Sequence, residues 1–378
     1  TMMPDLRHRP QRKQRLLPPT MMPDLRHRPQ RKQRLLPPTM MPDLRHRPQR
    51  RQRLRRRPQR KQRKQFPMSE FFTLSVLVAT FASAMRLATP YLLAALGETV
   101  GQRSGVLNLG VDGVMLLGAF FAYWTVLETD SRLLGVAVGL GVGLTMGAVY
   151  ATVTLVFKAE QGISGIGIYL FGLGMSELLF LKQVGTPRGI PSFDDIKIPL
   201  LGDIPHIGDM FFNHSLLVYL AVLLVPALTL IVNRTTLGLN IRAVGESPEA
   251  ADSLGVSVYR TRAVAMLIGN ALAGLAGAAL TIELGTFQNN LTNGIGFIAV
   301  ALVYFGAWRP VGVLAGSLLY GLITATVTQW KTLGIVTGAT ASLTTMAPAV
   351  LTVIALAIIA RRAADQPAAL TVPFSRDG

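Results

Sequence analysis

The sequence contains no cysteine, which excludes disulfide frameworks, thiolate metal sites and cysteine nucleophiles. Beyond residue 67 the histidines are His206 and His214, too few for a metal cluster, so no metal is expected. Neither a G-x-x-x-x-G-K-S/T phosphate loop nor a G-x-S-x-G nucleophile elbow occurs, so any use of ATP has to come from a partner and no cofactor is expected. Acidic residues are scarce, 20 against 38 Lys and Arg, but the excess is confined to one end. Residues 1–67 hold 22 Lys/Arg and 3 Asp, a net charge of +19, which leaves −1 for residues 68–378. The basic pI therefore says nothing about a nucleic-acid face on the body, and nucleic acid is not expected as a partner.

Residues 1–67 repeat themselves. TMMPDLRHRPQRKQRLLPP runs from Thr1 to Pro19 and again from Thr20 to Pro38, then restarts at Thr39 before dissolving into Arg, Gln and Pro. Four prolines per unit forbid a continuous helix, and there is too little apolar surface for a core. The segment reads as a disordered extension, with Met68 opening the body, or as a basic arm for anionic lipid or nucleic acid.

From Phe71 onward the chain is a series of apolar runs, most of them of membrane-spanning length. They cover Phe71–Leu96, Val106–Leu127, Leu133–Phe157, Ile163–Leu181, Leu216–Val232, Ala263–Leu284, Ile295–Trp308, Val311–Trp330 and Leu343–Ala360. The expectation is an all-α polytopic membrane protein of about 8–10 transmembrane helices, with residues 68–362 as the membrane domain and 363–378 as a tail. The polar NLGVDG at Asn108–Gly113 predicts a broken or re-entrant segment. Arg234, Arg242, Arg260 and Arg262 place residues 235–262 in the cytoplasm, and Arg361 and Arg362 place the C-terminus there. Residues 182–213, richer in Asp, then lie outside. Five runs precede the 235–262 segment, an odd number, so either one of the first two is re-entrant or the chain enters from outside. Gly135, Gly139, Gly143 and Gly147 recur every four residues, and Ala273 with Gly277 and Gly274 with Ala278 supply matching small pairs. These predict close helix packing, with Asn270 one turn away as a cross-helix hydrogen bonder.

The polar interval 235–262 carries its own helix signals. Ser247 suits the N-cap, Pro248 the first helical position, Glu249 the first turn and Gly255 the stop. Small residues, Ala250 and Ala251, line the short helix expected over 247–255. A capped, small-faced helix outside the membrane is a docking element for another protein.

At RSGVLNLGVDGVMLLGAFFAYW (Arg103–Trp124) and GLNIRAVGESPEAADSLGVSVYRTR (Gly238–Arg262) the sequence resembles the permease subunits of bacterial ABC importers for nucleosides, simple sugars and, more distantly, branched-chain amino acids. MRLATPYLLAALGE (Met85–Glu98), Asn270–Leu280 and Leu284–Gly312 extend the resemblance over essentially all of Met68–Arg362, nearest the nucleoside-type branch. It implies a multi-pass protein of the bacterial plasma membrane that is not itself an enzyme. Its partners would be a cytoplasmic ABC ATPase, a second homologous permease in a hetero- or homodimer, an extracytoplasmic substrate-binding protein and the lipid bilayer. It also implies that the 247–255 helix couples the ATPase to the membrane helices, through Arg242, Glu246, Ser247, Glu249, Ala250, Ala251 and Gly255. The I-x-L-P tail of other importer branches is missing after Gly255.

Candidate pathway residues follow from polar groups inside apolar runs. Asn108 and Asp112, four apart, would share a helix face, either lining the pathway or satisfying freed backbone at a broken helix. Gln288, Asn289 and Asn290, with Phe287 and Phe297, offer amides and aromatic faces to an uncharged heterocycle or sugar, or form an ordinary loop. Glu177 is expected to pair with Lys182 or an arginine, and Arg86 to reach the interface. A branched-chain amino acid permease is the near alternative. An ion-coupled secondary transporter would require intramembrane carboxylates arranged for a cation.

Overall fold

A computed structural model describes residues 73–336 and 366–375, together with scattered positions between 338 and 354. The basic repeat of 1–67, Arg361–Arg362 and half of the run Leu343–Ala360 lie outside the described residues. The elements are α1 (Leu74–Arg103), α2 (Val111–Thr129), α3 (Arg132–Ala151, continuing as a π-helical turn over Thr152–Val156), α4 (Gln161–Gln183), β1 (Ile196–Lys197), α5 (Ile207–Phe211), β2 (Asn213–His214), α6 (Leu216–Arg234), α7 (Thr236–Glu246), α8 (Pro248–Ser253), α9 (Val258–Leu284), α10 (Ile295–Phe305) and α11 (Pro310–Thr332). Seven of these, α1, α2, α3, α4, α6, α9 and α11, are long and apolar enough to cross a bilayer, while α10 has 11 residues and is too short by itself. The architecture is all-α, with one short antiparallel pair in which Ile196 faces His214 and Lys197 faces Asn213.

α9 is the axis of the bundle and packs against α1, α2 and α3. Its small residues make this possible. A side chain at Gly274 would collide with Gly139 O and come within 2.8 Å of Gly143 Cα, and one at Gly118 would come within 2.6 Å of Gly274 O. Three helices therefore meet backbone to backbone at one glycine, as the four-residue spacing of Gly139 and Gly143 predicts. Lipid tails provide no hydrophobic drive between helices, so such close van der Waals approach is what holds a membrane bundle together.

Both ends of the bundle are defined by cross-links. On one side, Arg86 pairs with Asp195 at 3.6 Å and Arg132 with Asp194 at 3.2 Å, while Tyr123 OH donates to Arg188 O at 2.9 Å. Thus Arg86 is an ion-pair partner of the 184–214 segment as well as a boundary residue. On the other side, the C-terminal end of α1 meets the end of α7, because a side chain on Gly245 would collide with Arg103 O. So α1 runs toward the 235–262 segment, and α1 and α2 are both full-length helices. Of the alternatives for Asn108–Gly113, broken or re-entrant, the structure has a break: the non-helical 104–110 joins two full-length helices, and the odd count is resolved by Leu74 lying on the side of 184–214.

Candidate functional site

The break between α1 and α2 frees main-chain groups, and several of them have specific partners. Leu107 N donates to Gln161 Oε1 at 3.0 Å, and Tyr150 OH lies 2.7 Å from Leu107 O. Asn108 folds its own turn: its Oδ1 accepts from Gly110 N at 2.8 Å while its Nδ2 donates to Asn270 Oδ1 at 2.9 Å. The bond from Asn108 is the link to another element expected of Asn270, which in turn donates to Met266 O of its own helix at 2.8 Å.

Asp112 stands in the first turn of α2 and is 0% exposed. Its Oδ1 accepts from Gly296 N at 2.7 Å and its Oδ2 from Thr292 Oγ1 at 2.9 Å. The carboxylate is thus held between the N-termini of α2 and α10, where both helix dipoles favour an anion. The expectation that Asn108 and Asp112 share a helix face is corrected here. Asn108 sits in the non-helical break, and the two side chains bond different elements.

The 287–297 residues divide. Phe287 is buried in an aromatic cluster, its ring 5.3 Å from Phe180, 5.7 Å from Phe120 and 5.8 Å from Tyr123. Gln288, Asn289 and Asn290 are exposed, and Phe297 is 39% exposed. Asn289 Nδ2 donates to Glu177 Oε1 at 3.1 Å, and the Phe297 ring lies edge-on to Tyr169 at 5.0 Å. Glu177 is therefore bonded to an amide and not to the expected Lys182 or arginine. It is an exposed carboxylate on a membrane-spanning helix, a position that is costly against lipid. Tyr169 was not legible as a site residue, since one aromatic in an apolar helix carries no signal.

Residues 235–262 form two helices, α7 and α8. Thr235 caps the first by accepting from Gly238 N at 3.2 Å, a helix missed because its apolar positions, Leu237, Ile241 and Val244, are few. Ser247 caps the second by accepting from Ala250 N at 3.4 Å, with Pro248 at its start. It ends with Gly255 at φ +86°, Val256 N donating back to Ala251 O at 3.0 Å. Glu246, Ser247, Glu249, Ala250 and Gly255 are exposed, and Leu254 beside them is 84% exposed. Arg242 is half-buried, and Ala251 is buried, packing with Val244, Val258 and Phe374. Nearby, Glu160 caps α4 by accepting from Gly162 N and Ile163 N, and those two N–H groups, Ile163 first, hold its carboxyl below the usual range.

A bundle of spanning helices with a polar break between two of them, a carboxylate and amide on an exposed helix face, and a capped helix pair at one end is a membrane transport protein. A family described as the branched-chain amino acid transport system / permease component matches residues 80–361. The chain is 38% identical to a putative glucose ABC transporter permease of Haloferax volcanii, over 67% of this chain and 78% of that one. It is 34% identical to a guanosine ABC transporter permease of Bacillus subtilis (76% and 93%) and 31% identical to a nucleoside ABC transporter permease of Lactococcus lactis (77% and 94%). No solved structure matches the chain. The chain belongs to this permease family. It is a multi-pass plasma-membrane subunit of an ABC importer and a transport component rather than an enzyme, which implies ATPase and substrate-binding partners.

Proposed function

We propose that this permease imports a nucleoside, or as the second cargo class a simple sugar, by alternating access. The relatives named for guanosine, nucleosides and glucose support both classes. The observation that carries the cargo reading is the Glu177–Asn289 pair beside the Tyr169–Phe297 rings. A carboxylate, an amide and two aromatic faces suit the hydroxyls, ring nitrogens and planar base of a nucleoside, and the first two suit a sugar. Gln288 and Asn290 extend this surface, while Asn108, Asp112 and Phe287 hold its inner wall.

In this reading residues 235–262 face the cytoplasm and 184–214 the exterior. A cytoplasmic ATPase docks on the exposed side of α8, a second homologous permease covers the α4 face, and a binding protein delivers cargo to the outer end. Uptake of radiolabelled nucleosides, sugars and branched-chain amino acids by cells lacking and regaining this chain tests it. Nucleoside uptake that returns with the chain is expected. Restored uptake of branched-chain amino acids alone would overturn the cargo assignment.

A further inference from the structure

The segment 366–375, legible in the sequence only as a tail, reaches in several directions on the side of α7 and α8. Ala369 N donates to Gly245 O at 2.9 Å, at the end of α7, and Thr371 N donates to Gly105 O at 3.1 Å, in the break between α1 and α2. Tyr259 OH donates to Phe374 O at 3.2 Å, and the two rings lie edge to face at 5.7 Å. Lys158 Nζ donates to Ser375 Oγ at 3.3 Å, tying in the turn between α3 and α4. Leu370 belongs to the main core, while Phe374 packs with Val244 of α7, Ala251 of α8 and Val258 of α9.

Beneath the segment lies Arg262, 2% exposed. Its Nε donates to Ser104 O at 3.1 Å and its Nη1 to Val372 O at 3.1 Å. A buried guanidinium is costly, and here main-chain carbonyls from the break and from the C-terminal segment accept from its Nε and Nη1, while its Nη2 has no hydrogen-bond partner among the described residues. Those bonds hold only while α9, the break and residues 369–374 keep their places. The end of α7 also rests directly on the end of α1, Gly245 against Arg103 O. From there Arg103 Nε donates to Trp308 O at 2.7 Å, and Trp308 Nε1 donates to Gln102 Oε1 at 2.9 Å, which joins the α10–α11 junction to the same assembly.

A six-residue helix has little rigidity of its own, since a helix this short is not stable without tertiary packing. Force applied to α8 would bend the loop unless packing carried it onward. We propose that residues 366–375 are a strap that makes α7, α8 and the α1–α2 break one rigid unit, with Arg262 as its positioning residue, so that a push on α8 is delivered to the break. This rests on the reading of α8 as the ATPase-docking element.

The test uses the whole complex, this chain with its ATPase, companion permease and binding protein, reconstituted in vesicles. Uptake of tritiated guanosine and carbon-14 glucose is measured alongside ATP hydrolysis. The wild-type complex has to show ATP-dependent uptake of one probe; uptake without hydrolysis would remove the docking reading itself, whatever the strap does. Against that baseline, Phe374→Ala and Arg262→Lys are each expected to lower the solute moved per ATP by about fivefold or more while hydrolysis continues. Tyr259→Phe, which removes a single hydrogen bond, shifts the ratio the same way by less. An unchanged ratio, whether both rates are normal or both fall in parallel, would overturn the proposal.

A second measurement needs no cargo and uses the absence of cysteine. Spin labels at Thr236→Cys and Ser375→Cys report the separation between α7 and the strap in the nucleotide-free and vanadate-trapped complex. The separation is expected to stay the same; a strap that moves relative to α7 on trapping would show that the two are not one body.

Discussion

Asp112 and Gly296 meet at 2.7 Å although 184 residues separate them in the chain, and the bond joins the N-terminus of α2 to that of α10. Two helices that begin inside the bundle are thereby clamped through one carboxylate. Without it, the Gly296 N–H and the Thr292 hydroxyl would be buried without an acceptor. Asp112→Ala is expected to cost about 3–6 kcal/mol, since it removes two bonds to the carboxylate, each worth roughly 1.5–3 kcal/mol. Asp112→Asn keeps an oxygen for Gly296 and is expected to cost less than half as much. Thermal unfolding in detergent measures both, and equal losses would show that charge and not bonding matters at this position.

Gly274 is where α2, α3 and α9 touch, and Gly141 of α3 has nothing within 4 Å of the place a side chain would take. Gly274→Val is expected to force the helices apart, with a loss of about 1–3 kcal/mol or more. Gly141→Ala is expected to be neutral or to gain up to about 1 kcal/mol from helix propensity. Comparison of their melting temperatures decides whether close approach, and not glycine content, stabilises the bundle.

Ala250 and Ala251 are neighbours on α8 with opposite environments, one exposed and one buried. Ala250→Glu is expected to leave insertion and melting unchanged and to abolish uptake by disrupting docking. Ala251→Glu puts a charge among Val244, Val258 and Phe374 and is expected to destabilise the chain by several kcal/mol, about 3–5 for an unpaired buried charge. Normal uptake by the Ala250 variant would remove α8 from the coupling mechanism.

Glu177 accepts from Asn289, and a glutamine oxygen can do the same. Glu177→Gln is therefore expected to keep uptake near normal. Glu177→Leu removes the acceptor and is expected to raise the KM of uptake about tenfold, the equivalent of roughly 1.4 kcal/mol. Concentration dependence of uptake in whole cells separates the two, and an unchanged KM for the leucine variant would move the pathway elsewhere.

Glu160 is an exposed cap whose carboxyl is held below its usual range by the N–H groups of Ile163 and Gly162. A depressed folded-state pKa means the cap's contribution is fully present above the ordinary carboxylate pKa and is lost as pH falls through the lowered value. Amide exchange at Gly162 and Ile163, corrected for intrinsic rate, is expected to lose protection on acidification in the native chain. Glu160→Ala is expected to lack that protection at every pH.

Several features of this protein were legible in residues close together in the chain. The spanning helices follow from apolar runs, since a bilayer admits little besides helices whose backbone bonds are internal. The cap of α8 follows from Ser247, Pro248 and Gly255, because capping acts over one turn. That α3 and α9 each pack closely on a neighbour follows from the spacing of Gly139 and Gly143 and of Gly274 and Ala278; that they pack on each other does not. Partner choice has no such local record. A carboxylate in an apolar run points to a cation, yet Glu177 bonds Asn289; a four-residue spacing points to one helix face, yet Asn108 and Asp112 stand on either side of a helix start.

The sequence by itself determined an all-α membrane protein with a polar, capped segment between spans, because hydrophobic transfer and end-capping depend on residues within a turn or a span of one another. The tertiary structure alone decided that Asp112 closes on Gly296, that Arg262 sits between Ser104 and Val372, and that the C-terminal segment bonds both the end of α7, through Ala369, and the break, through Thr371. A buried carboxylate or guanidinium needs partners wherever the fold delivers them, and the fold draws them from more than a hundred residues away, where no local pattern records the pairing.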